Sequence, residues 1–387
     1  MAGKLKIAFV SNRSWDLKNF RGGVYNKLQE MGYEIFLIAP YDNFSHTLKA
    51  ENVDCFHFYM SNYSVNPFHE VRSLYNLYNI YRKIRPDFIF HYSIKPNVYG
   101  TLAASRLKIP SVSVITGLGL FADNKNKIIR KISHGLYRLV VKFANEIWFL
   151  NRTDKDYFTD KIKVPSHKTD VLPGEGINTA RFNLCINNSS EKKIRFLYAG
   201  RLVWAKGLRE LAEAAVIVKE KYPDAVFQLL GFIELFNPDG IPRDQVNRWQ
   251  EEGTFEYLGE TYDIVPFLQH TDCVVLPSYR EGMSRILLEA SSMGITVIAS
   301  DVVGCREIVE HGVTGFLCEP KNSIDLADKL CDFLRLSIDE RQKMGLLGRE
   351  KVIKTFDEKL VVEHYKEVLR KYLGAKKDVQ IVQDCSN

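Results

Sequence analysis

Short hydrophobic runs alternate along the chain with segments in which hydrophobic residues recur every three or four positions. The first runs cover 5–10, 34–40, 88–91, 111–115 and 147–150, and helical patterns lie near 22–31 and 69–84. Continuous apolar runs of this length are typical of strands buried on both faces of a parallel sheet, and the periodic segments predict covering helices. The first half of the chain therefore predicts an α/β domain.

The same alternation restarts after a polar stretch at 185–193. Strands are predicted over 194–199, 225–230, 273–277 and 296–299, and helices over about 208–221, 285–293, 324–335, 339–354 and 358–373. We predict an N-terminal domain over 1–184, a linker over 185–193, a C-terminal domain over 194–374 and a flexible tail over 375–387. Two such domains would present a cleft at the C-terminal ends of their strands, where open sheets bind ligands.

Composition narrows the class of protein. The chain has 387 residues, more than one ordinary core accommodates, and its formal net charge of +6 is too small to indicate nucleic-acid binding. The seven cysteines are scattered without a Cys-x-x-Cys pair, which argues against disulfides and structural zinc and favours a reducing, cytoplasmic location. No apolar run approaches the roughly 18 residues that span a bilayer, and the first residues fit a strand better than a signal peptide.

The strongest local pattern is Gly-Arg-Leu-Val-Trp-Ala-Lys-Gly at 200–207, between a predicted strand and a predicted helix. Gly200 and Gly207 permit a tight turn, and the helix N-terminus offers free N–H groups. Arg201 and Lys206 add a forked donor and a point charge. Together these features predict a diphosphate site, and a solvated basic turn is the alternative interpretation.

A second pattern, Glu-x₇-Glu at 281–289, also joins a strand to a helix. Glu281 would lie in the loop and face a sugar, whereas Glu289 would lie in the helix and could accept two hydrogen bonds from a ribose diol. The backbone N–H groups of Gly282, Met283 and Ser284 would face phosphate or sugar oxygens. The alternative for Glu289 is an ordinary helix residue.

The two patterns together resemble the retaining glycosyltransferases of family 4, which have the GT-B fold of two Rossmann-like domains. The resemblance covers 195–370 and includes further motifs: Leu276-Pro277-Ser278, Gly294, Ser300-Asp301, Gly304, Glu307-Ile308-Val309 and Gly312-Val313-Thr314-Gly315-Phe316-Leu317. It also implies that the last helix, about 358–373, returns to the N-terminal domain.

The resemblance assigns roles to these positions. It implies that Arg201 and Lys206 bind the donor diphosphate and stabilise the leaving nucleotide, that Glu281 contacts the transferred sugar, and that Glu289 binds the ribose. The turn at Tyr257 and Leu258 would lie near the nucleobase of the donor. Because two cations and a helix dipole can neutralise the departing phosphates, no metal or other cofactor is required. The family retains anomeric configuration, and no covalent nucleophile is nominated. An Asp-x-Asp at 154–156 fits helix capping better than metal binding.

The N-terminal half resembles a subgroup that adds amino sugars to lipid-linked intermediates of capsule, O-antigen or N-glycan assembly. The resemblance rests on Asn19-Phe20-Arg21, Pro40, Asn66-Pro67, 91–97 and 116–119. It implies a UDP-sugar donor and a lipid-pyrophosphate saccharide as acceptor. The predicted acceptor-binding residues are Arg21, Gly22, Gly23, His91, Lys95, Gly117 and Gly119, with Gly22-Gly23 matching a glycine pair that the family carries after its first strand. His91 is also the candidate base, although a lone histidine can equally be structural.

A basic amphipathic helix is predicted around 127–142. Lys127, Arg130, Lys131, Arg138 and Lys142 recur at helical spacing among Ile128, Ile132, Leu136, Leu139 and Val140. This pattern favours contact with an anionic membrane surface, and the alternative is a core helix with a solvated basic face. With it, the expected location is cytoplasmic and peripheral, on the inner face of the plasma membrane.

Two other functions stay open at this point. One is a GT-B transferase with another donor, such as GDP-mannose or a UDP-hexose, or with a soluble acceptor. The other is an enzyme like a UDP-sugar epimerase, which changes a sugar nucleotide without any acceptor. The oligomeric state is not predicted.

Overall fold

A computed structural model describes residues 4–42, 44–49, 53–60, 66–117, 127–185, 193–234 and 237–374, without the side chains of Thr47, Lys49 and 127–130. The chain forms two compact units. The first comprises Met1–Gly176 with Glu358–Asn387, and the second comprises Ile177–Asp357. The two units therefore divide between Gly176 and Ile177, ahead of the stretch predicted as a linker, most of which lies outside the described residues.

The first unit contains a seven-stranded sheet of order β3-β2-β1-β4-β5-β6-β7, and every pairing in it is parallel. The strands are β1 Lys6–Val10, β2 Glu34–Ala39, β3 Asp54–His57, β4 Phe88–Tyr92, β5 Ser111–Ile115, β6 Glu146–Phe149 and β7 Thr169–Val171. The helices are α1 Ser14–Glu30, α2 Ser45–Lys49, α3 Pro67–Ile84, α4 Thr101–Arg106, α5 Lys127–Phe143, α6 Arg152–Tyr157 and the last helix of the chain, Glu358–Leu373. Two π-helical turns, Pro96–Gly100 and Phe158–Ile162, precede α4 and follow α6.

Helices cover this sheet as the sequence predicts. The helix α3 packs on α4 and on the π-helical turn before it, and α5 packs on the same two segments from the other side. These three helices therefore form one layer. The helix α1 packs against the last helix, Glu358–Leu373, in a different part of the unit.

The last helix completes the core of the first unit. Tyr365 is fully buried and lies 4.6 Å from the ring of Phe90, 5.1 Å from Trp148 and 6.2 Å from Phe9, measured between ring centroids. Its hydroxyl lies 2.8 Å from that of Tyr92. The prediction that the C-terminal helix returns to the N-terminal domain is confirmed, because Tyr365 packs on side chains of strands β1, β4 and β6.

The second unit contains a six-stranded sheet of order β10-β9-β8-β11-β12-β13, also parallel in every pairing. The strands are β8 Arg195–Ala199, β9 Val226–Leu230, β10 Glu256–Tyr257, β11 Cys273–Leu276, β12 Thr296–Ser300 and β13 Gly315–Cys318. The helices are α7 Leu208–Lys221, α8 Arg243–Glu251, α9 Val265–Leu268, α10 Arg285–Ser292, α11 Val303–Arg306, α12 Ser323–Arg335 and α13 Ile338–Phe356, and the last helix, in the first unit, is α14. Two Rossmann-like parallel-sheet domains are thus present, as predicted.

The largest local correction concerns α1. The helix begins at Ser14, well before the predicted start at 22, so Gly22 and Gly23 lie inside it and not in a loop. A side chain at Gly23 would collide with the carboxylate of Glu358 at the start of α14. The Glu358 side chain therefore lies against the backbone of α1 at Gly23.

Candidate active site

The two predicted motifs follow neighbouring strands at the point where the order of the second sheet reverses. The strand β8 pairs with β9 on one side and with β11 on the other. The chain leaves β8 into the Gly200 turn and leaves β11 into the loop that carries Glu281. Crevices at such switch points are where open α/β sheets bind ligands, so the fold itself brings the motifs together.

Gly207 allows the first motif to lie directly against the second. It occupies the left-handed region with φ of 74° and precedes the first turn of α7. A side chain there would overlap the carbonyl of Pro277, immediately after β11. The N–H of Tyr279 also donates to the carbonyl of Ala205 at 2.9 Å. The free N–H groups of the α7 N-terminus are thereby placed beside the Glu281 loop.

Lys206 and Glu281 form an ion pair between these two loops. The Lys206 ammonium donates to a carboxylate oxygen of Glu281, and both side chains are largely buried. The backbone of Glu281 and Gly282 rests on Gly304, where any side chain would crowd it. A ligand phosphate at the α7 N-terminus could form an ion pair with the Lys206 ammonium. Glu281 would then be released to accept hydrogen bonds from hydroxyl groups.

Arg201, the other cation of the motif, lies at the solvent-accessible side of the turn. Its side chain is 50% exposed, and Nη1 lies 3.6 Å from a carboxylate oxygen of Glu234. The hydroxyl of Tyr198 donates to the Arg201 carbonyl at 2.7 Å and orders the turn from beneath. The guanidinium therefore remains open to an anionic ligand.

Glu289 lies one turn into α10, which begins at Arg285. Its carboxylate is buried and accepts from Nε of Arg285 at 2.7 Å. Burial raises the pKa of Glu289 above its ordinary value, although Arg285 opposes the shift. The Glu289 carboxylate is thus held in place by Arg285, unlike the side chain of an exposed helix residue. Ser284 is the residue before α10, so the segment Gly282–Ser284 leads into its N-terminus.

Tyr257 ends strand β10 at the same edge of the sheet, and Leu258 follows it directly. The hydroxyl of Tyr257 donates to the Gly231 carbonyl at 3.0 Å, after β9. The second unit therefore gathers all the predicted donor-site residues at the C-terminal edge of one sheet.

Sequence reasoning missed a polar clasp on the Lys206 turn. Asp239 accepts from the N–H of Ala205 through its carboxylate, at 3.0 Å, and from the N–H of Trp204 through its carbonyl, at 2.9 Å. Asn237 accepts from the N–H of Asp239 at 3.0 Å and donates to Glu234 at 2.5 Å. The clasp comprises Glu234, Asn237 and Asp239. Its residues lie more than 25 positions from the motif, so only pairing of β8 with β9 reveals it.

His91 is wrongly predicted to face the substrate edge. It belongs to β4 itself, and its ring is fully buried beneath α3, with Nε2 3.0 Å from the hydroxyl of Tyr81. Burial lowers the pKa of His91 to about 3, so the ring is neutral. The expectation failed because the strand extends past His91, and the side chain of that residue points into the helix layer.

Arg21 is not an exposed acceptor contact either. Its guanidinium donates to Glu175 at 2.9 Å and lies 4.3 Å from the ring centroid of Tyr92, with 3% of the side chain exposed. Burial opposes its charge, but Glu175 raises the pKa of Arg21 above its ordinary value. Arg21, Gly22 and Gly23 therefore lie within α1, because the helix begins eight residues earlier than expected.

Other predicted acceptor residues do lie at the C-terminal edge of the first sheet. Lys95 follows β4 and pairs with Glu70 at 2.5 Å, with both side chains partly accessible. Gly117 follows β5, and Gly119 lies outside the described residues. At the switch point between β1 and β4, Ser93 has φ of 71° and donates to Asn12 at 2.7 Å. Such a strained residue was not foreseen in the sequence.

The predicted basic helix is α5. Lys131, Arg138 and Lys142 are exposed, as are Ile132, Leu139 and Phe143, while Tyr137 and Val140 are buried. The side chains of Lys127 and Arg130 lie outside the described residues. At about 100° per residue, the exposed apolar side chains share one line and the three cations form a row beside it. Among the described helices, none is long and apolar enough to cross a membrane.

The geometry is that of an α/β protein with a polar site at a strand-order reversal, where Lys206 pairs with Glu281 beside the N-terminus of α7. Family models agree with this class. Residues 182–351 match glycosyl transferases group 1, and residues 6–151 match the glycosyl transferase 4-like family. The chain therefore belongs to the glycosyltransferases of these families and is an enzyme.

Two of the curated relatives are bacterial glycosyltransferases. The chain is 29% identical over 378 residues to an N,N'-diacetylbacillosaminyl-diphospho-undecaprenol alpha-1,3-N-acetylgalactosaminyltransferase of Campylobacter jejuni, with 93% of this chain and 97% of the relative covered. It is 29% identical to a UDP-Gal:alpha-D-GlcNAc-diphosphoundecaprenol alpha-1,3-galactosyltransferase of Escherichia coli, with 66% of this chain and 68% of the relative covered.

Solved structures share the fold. HepE of Anabaena in complex with UDP and glucose has a TM-score of 0.80 at 18% identity, covering 95% of this chain and 100% of that one. A glycosyltransferase of Rickettsia africae has a TM-score of 0.76 at 21% identity, covering 96% of this chain and 100% of that one. The predicted GT-B fold is thus confirmed.

Proposed function

We propose that the protein transfers a sugar, with retention, from a nucleoside-diphosphate donor to a lipid-diphosphate-linked saccharide. The observation that carries the donor half is the convergence of Lys206, Glu281 and the α7 N-terminus at the strand-order reversal. Arg201 supplies the second cation for the diphosphate. Glu281 binds hydroxyls of the transferred sugar, and Glu289 binds the ribose diol.

The proposed chemistry follows from charge. The bond between the anomeric carbon and the diphosphate oxygen breaks, and negative charge grows on the departing phosphate. Lys206, Arg201 and the helix N-terminus stabilise that charge. The acceptor hydroxyl bonds to the carbon from the same face, and its proton passes to the departing phosphate oxygen. This mechanism needs neither a metal nor a protein nucleophile, and activity is expected to persist in excess EDTA.

The donor we propose is a UDP-N-acetylhexosamine, and the acceptor a polyprenyl-pyrophosphate saccharide. Support comes from the names of the Campylobacter jejuni and Escherichia coli relatives and from UDP in the HepE complex. A donor screen with such an acceptor, followed by mass spectrometry, tests both assignments. Conversion of the sugar nucleotide without an acceptor would identify an epimerase instead.

For the acceptor lipid, we propose that α5 rests on an anionic membrane surface, at the cytoplasmic face. Its exposed apolar line, Ile132, Leu139 and Phe143, would enter the headgroup region, and Lys131, Arg138 and Lys142 would meet lipid phosphates. Vesicle sedimentation at low salt tests this contact. A variant with these three cations changed to Gln should bind anionic vesicles much more weakly than the unchanged protein.

The donor assignment is tested by Lys206→Ala and Glu281→Ala. Loss of a preorganised charged group typically costs about 100-fold or more in turnover, and we expect that loss with retained folding. Lys221→Ala and Glu213→Ala remove exposed charges of the same sign from α7 and serve as matched controls. Unchanged turnover in either site variant would remove the donor assignment.

A further inference from the structure

The first half of α3 exposes three hydrophobic side chains on one line. Phe68 is 85% exposed, Val71 65% and Tyr75 63%. At about 100° per residue, these positions lie within roughly 60° of one another around the helix. Single exposed hydrophobic residues are ordinary, but a continuous line of three with such exposure marks an interaction surface.

This line, Phe68, Val71 and Tyr75, which we call the α3 stripe, points away from the domain core. The buried positions of α3 are Ser73, Leu77, Tyr81 and Ile84, which lie on the opposite side of the helix. The side chains of the stripe therefore project outward from the sheet, and no rearrangement of the core is needed for them to meet a partner.

The exposed charges of α3 are positive: Arg72 lies beside the stripe, and Arg82 and Lys83 lie in the last turn of the helix. Arg72 also lies 4.5 Å from the ring centroid of Tyr59. Glu70 is the acidic residue of α3, and its charge is offset by the ion pair with Lys95. A line of apolar side chains on a helix with exposed cations suits an anionic lipid surface, into which aromatic rings insert at headgroup level.

The position of α3 in the fold links it to α5. Both helices pack against α4 and the π-helical turn before it, so they belong to one layer on one face of the sheet. Each helix follows a parallel strand, so both begin at the C-terminal edge of the sheet, and Lys95 lies at that same edge. The stripe occupies the first two and a half turns of α3, the half nearest to this edge.

We propose that the α3 stripe is a second contact with the anionic bilayer, which works together with α5. The inference rests on the proposed membrane association of α5 and adds an orientation to it. Contact through α5 alone would leave the N-terminal unit free to rotate about the axis of that helix. Contact through both helices fixes the orientation of the unit on the bilayer. The edge that carries Lys95 then faces the headgroups, where the diphosphate of a lipid-linked acceptor lies.

The test is sedimentation of the full-length protein with vesicles of phosphatidylglycerol and phosphatidylcholine at low salt. We expect the variant Phe68→Ser/Tyr75→Ser to bind about tenfold more weakly than the unchanged protein. The control Ile324→Ser/Ile338→Ser removes two exposed hydrophobic residues from the second unit and should bind normally. Circular dichroism of each variant verifies that both units remain folded.

The outcomes separate this inference from the proposed function. If the unchanged protein does not bind the vesicles, membrane association itself fails, and the α3 contact fails with it. If the α5 cation variant loses binding while the α3 variant binds like the control, only the α3 contact is overturned. Light scattering provides a further check: a dimer that the Phe68→Ser/Tyr75→Ser change dissociates, with vesicle binding unchanged, would assign the stripe to self-association.

A second readout concerns the acceptor. With a lipid-linked acceptor embedded in vesicles, the α3 variant should lose turnover about tenfold. With the same saccharide on a short, water-soluble lipid, it should turn over like the unchanged protein. Equal loss on both acceptors would indicate a defect in the site and would contradict the membrane role.

Discussion

At the scale of single residues, the availability of a charged side chain for ligand binding depends on the partner with which it already pairs. Lys206 and Arg201 were both predicted from their motif, but only the fold shows that Lys206 pairs with Glu281 while Arg201 lies near Glu234. Arg21 and His91 were both predicted from the sequence to bind the acceptor. Both are buried with partners within the first unit, and their burial removes them from ligand binding.

Asp239 should matter for catalysis although we expect no contact with the sugar. Because it fixes the backbone before Lys206, Asp239→Ala should reduce kcat/KM about tenfold, mainly through a higher donor KM, as expected for a lost charge-assisted hydrogen bond. Asp239→Asn keeps an acceptor oxygen and should restore most of the activity. Asp244→Ala, an exposed change on α8, is the control. If Asp239→Ala lowered only thermal stability, the positioning role would be refuted.

The burial of His91 predicts that pH affects stability through this residue rather than catalysis. Its folded pKa is about 3, below the ordinary 6.5, so between these values the unfolded chain binds a proton that the folded chain does not. The free energy of unfolding therefore falls as the pH is lowered, by about 2 kcal/mol between pH 7 and pH 5.

The substitution His91→Gln should remove this part of the pH dependence while leaving kcat largely intact. Urea unfolding at both pH values, compared between the two proteins, measures the difference. A kcat that falls 100-fold, with an altered pH profile, would restore His91 as a catalytic base.

At the scale of elements, the hydrophobic pattern predicted most strands and helices, including α7 and α14 with their ends. The short strands β3, β7, β10 and β13 were missed because two to four residues carry too little pattern. The start of α1 was missed because its glycine pair resembled a loop. In the structure, Gly23 of that pair lies against the side chain of Glu358, a contact that no local pattern records.

Substitution of Gly207 tests whether the Lys206 turn requires its close contact with Pro277. Gly207→Ala adds left-handed strain and a collision with Pro277, so we expect a stability loss above about 1 kcal/mol together with loss of donor binding. Gly253→Ala is the matched control, because Gly253 has a φ of 68° but open space around its Cβ position. Donor titration and thermal unfolding of both variants measure the effects. Equal behaviour of the two variants would mean that the close approach to Pro277 is unimportant.

At the scale of the whole molecule, the chain builds two units, and its last helix belongs to the first of them. The core of the first unit is therefore complete only when α14, the last described helix, has packed against the sheet. This arrangement predicts that damage to α14 destabilises the first unit, although some 180 residues of the second unit lie between them in sequence.

Tyr365→Ala should lower the stability of the first unit by about 3–5 kcal/mol, the usual cost of removing a buried aromatic ring. Tyr365→Phe keeps the ring and should lose far less. Leu360→Ala, which removes a 41%-exposed side chain from the same helix, is the control. Urea unfolding followed by fluorescence of Trp148, 5.1 Å from Tyr365, reports on this unit. Identical midpoints for Tyr365→Ala and Leu360→Ala would contradict the role of α14.

The sequence alone determined the alternation of strands and helices and the two donor motifs, because those features depend on residues close together along the chain. Only the tertiary structure decided which polar residues lie at a substrate edge. Strand order brings β8 and β11 together, and burial withdraws His91 and Arg21. Exposure of the α3 stripe and the hold of Asp239 on the Lys206 turn likewise depend on packing between distant segments, which no local pattern encodes.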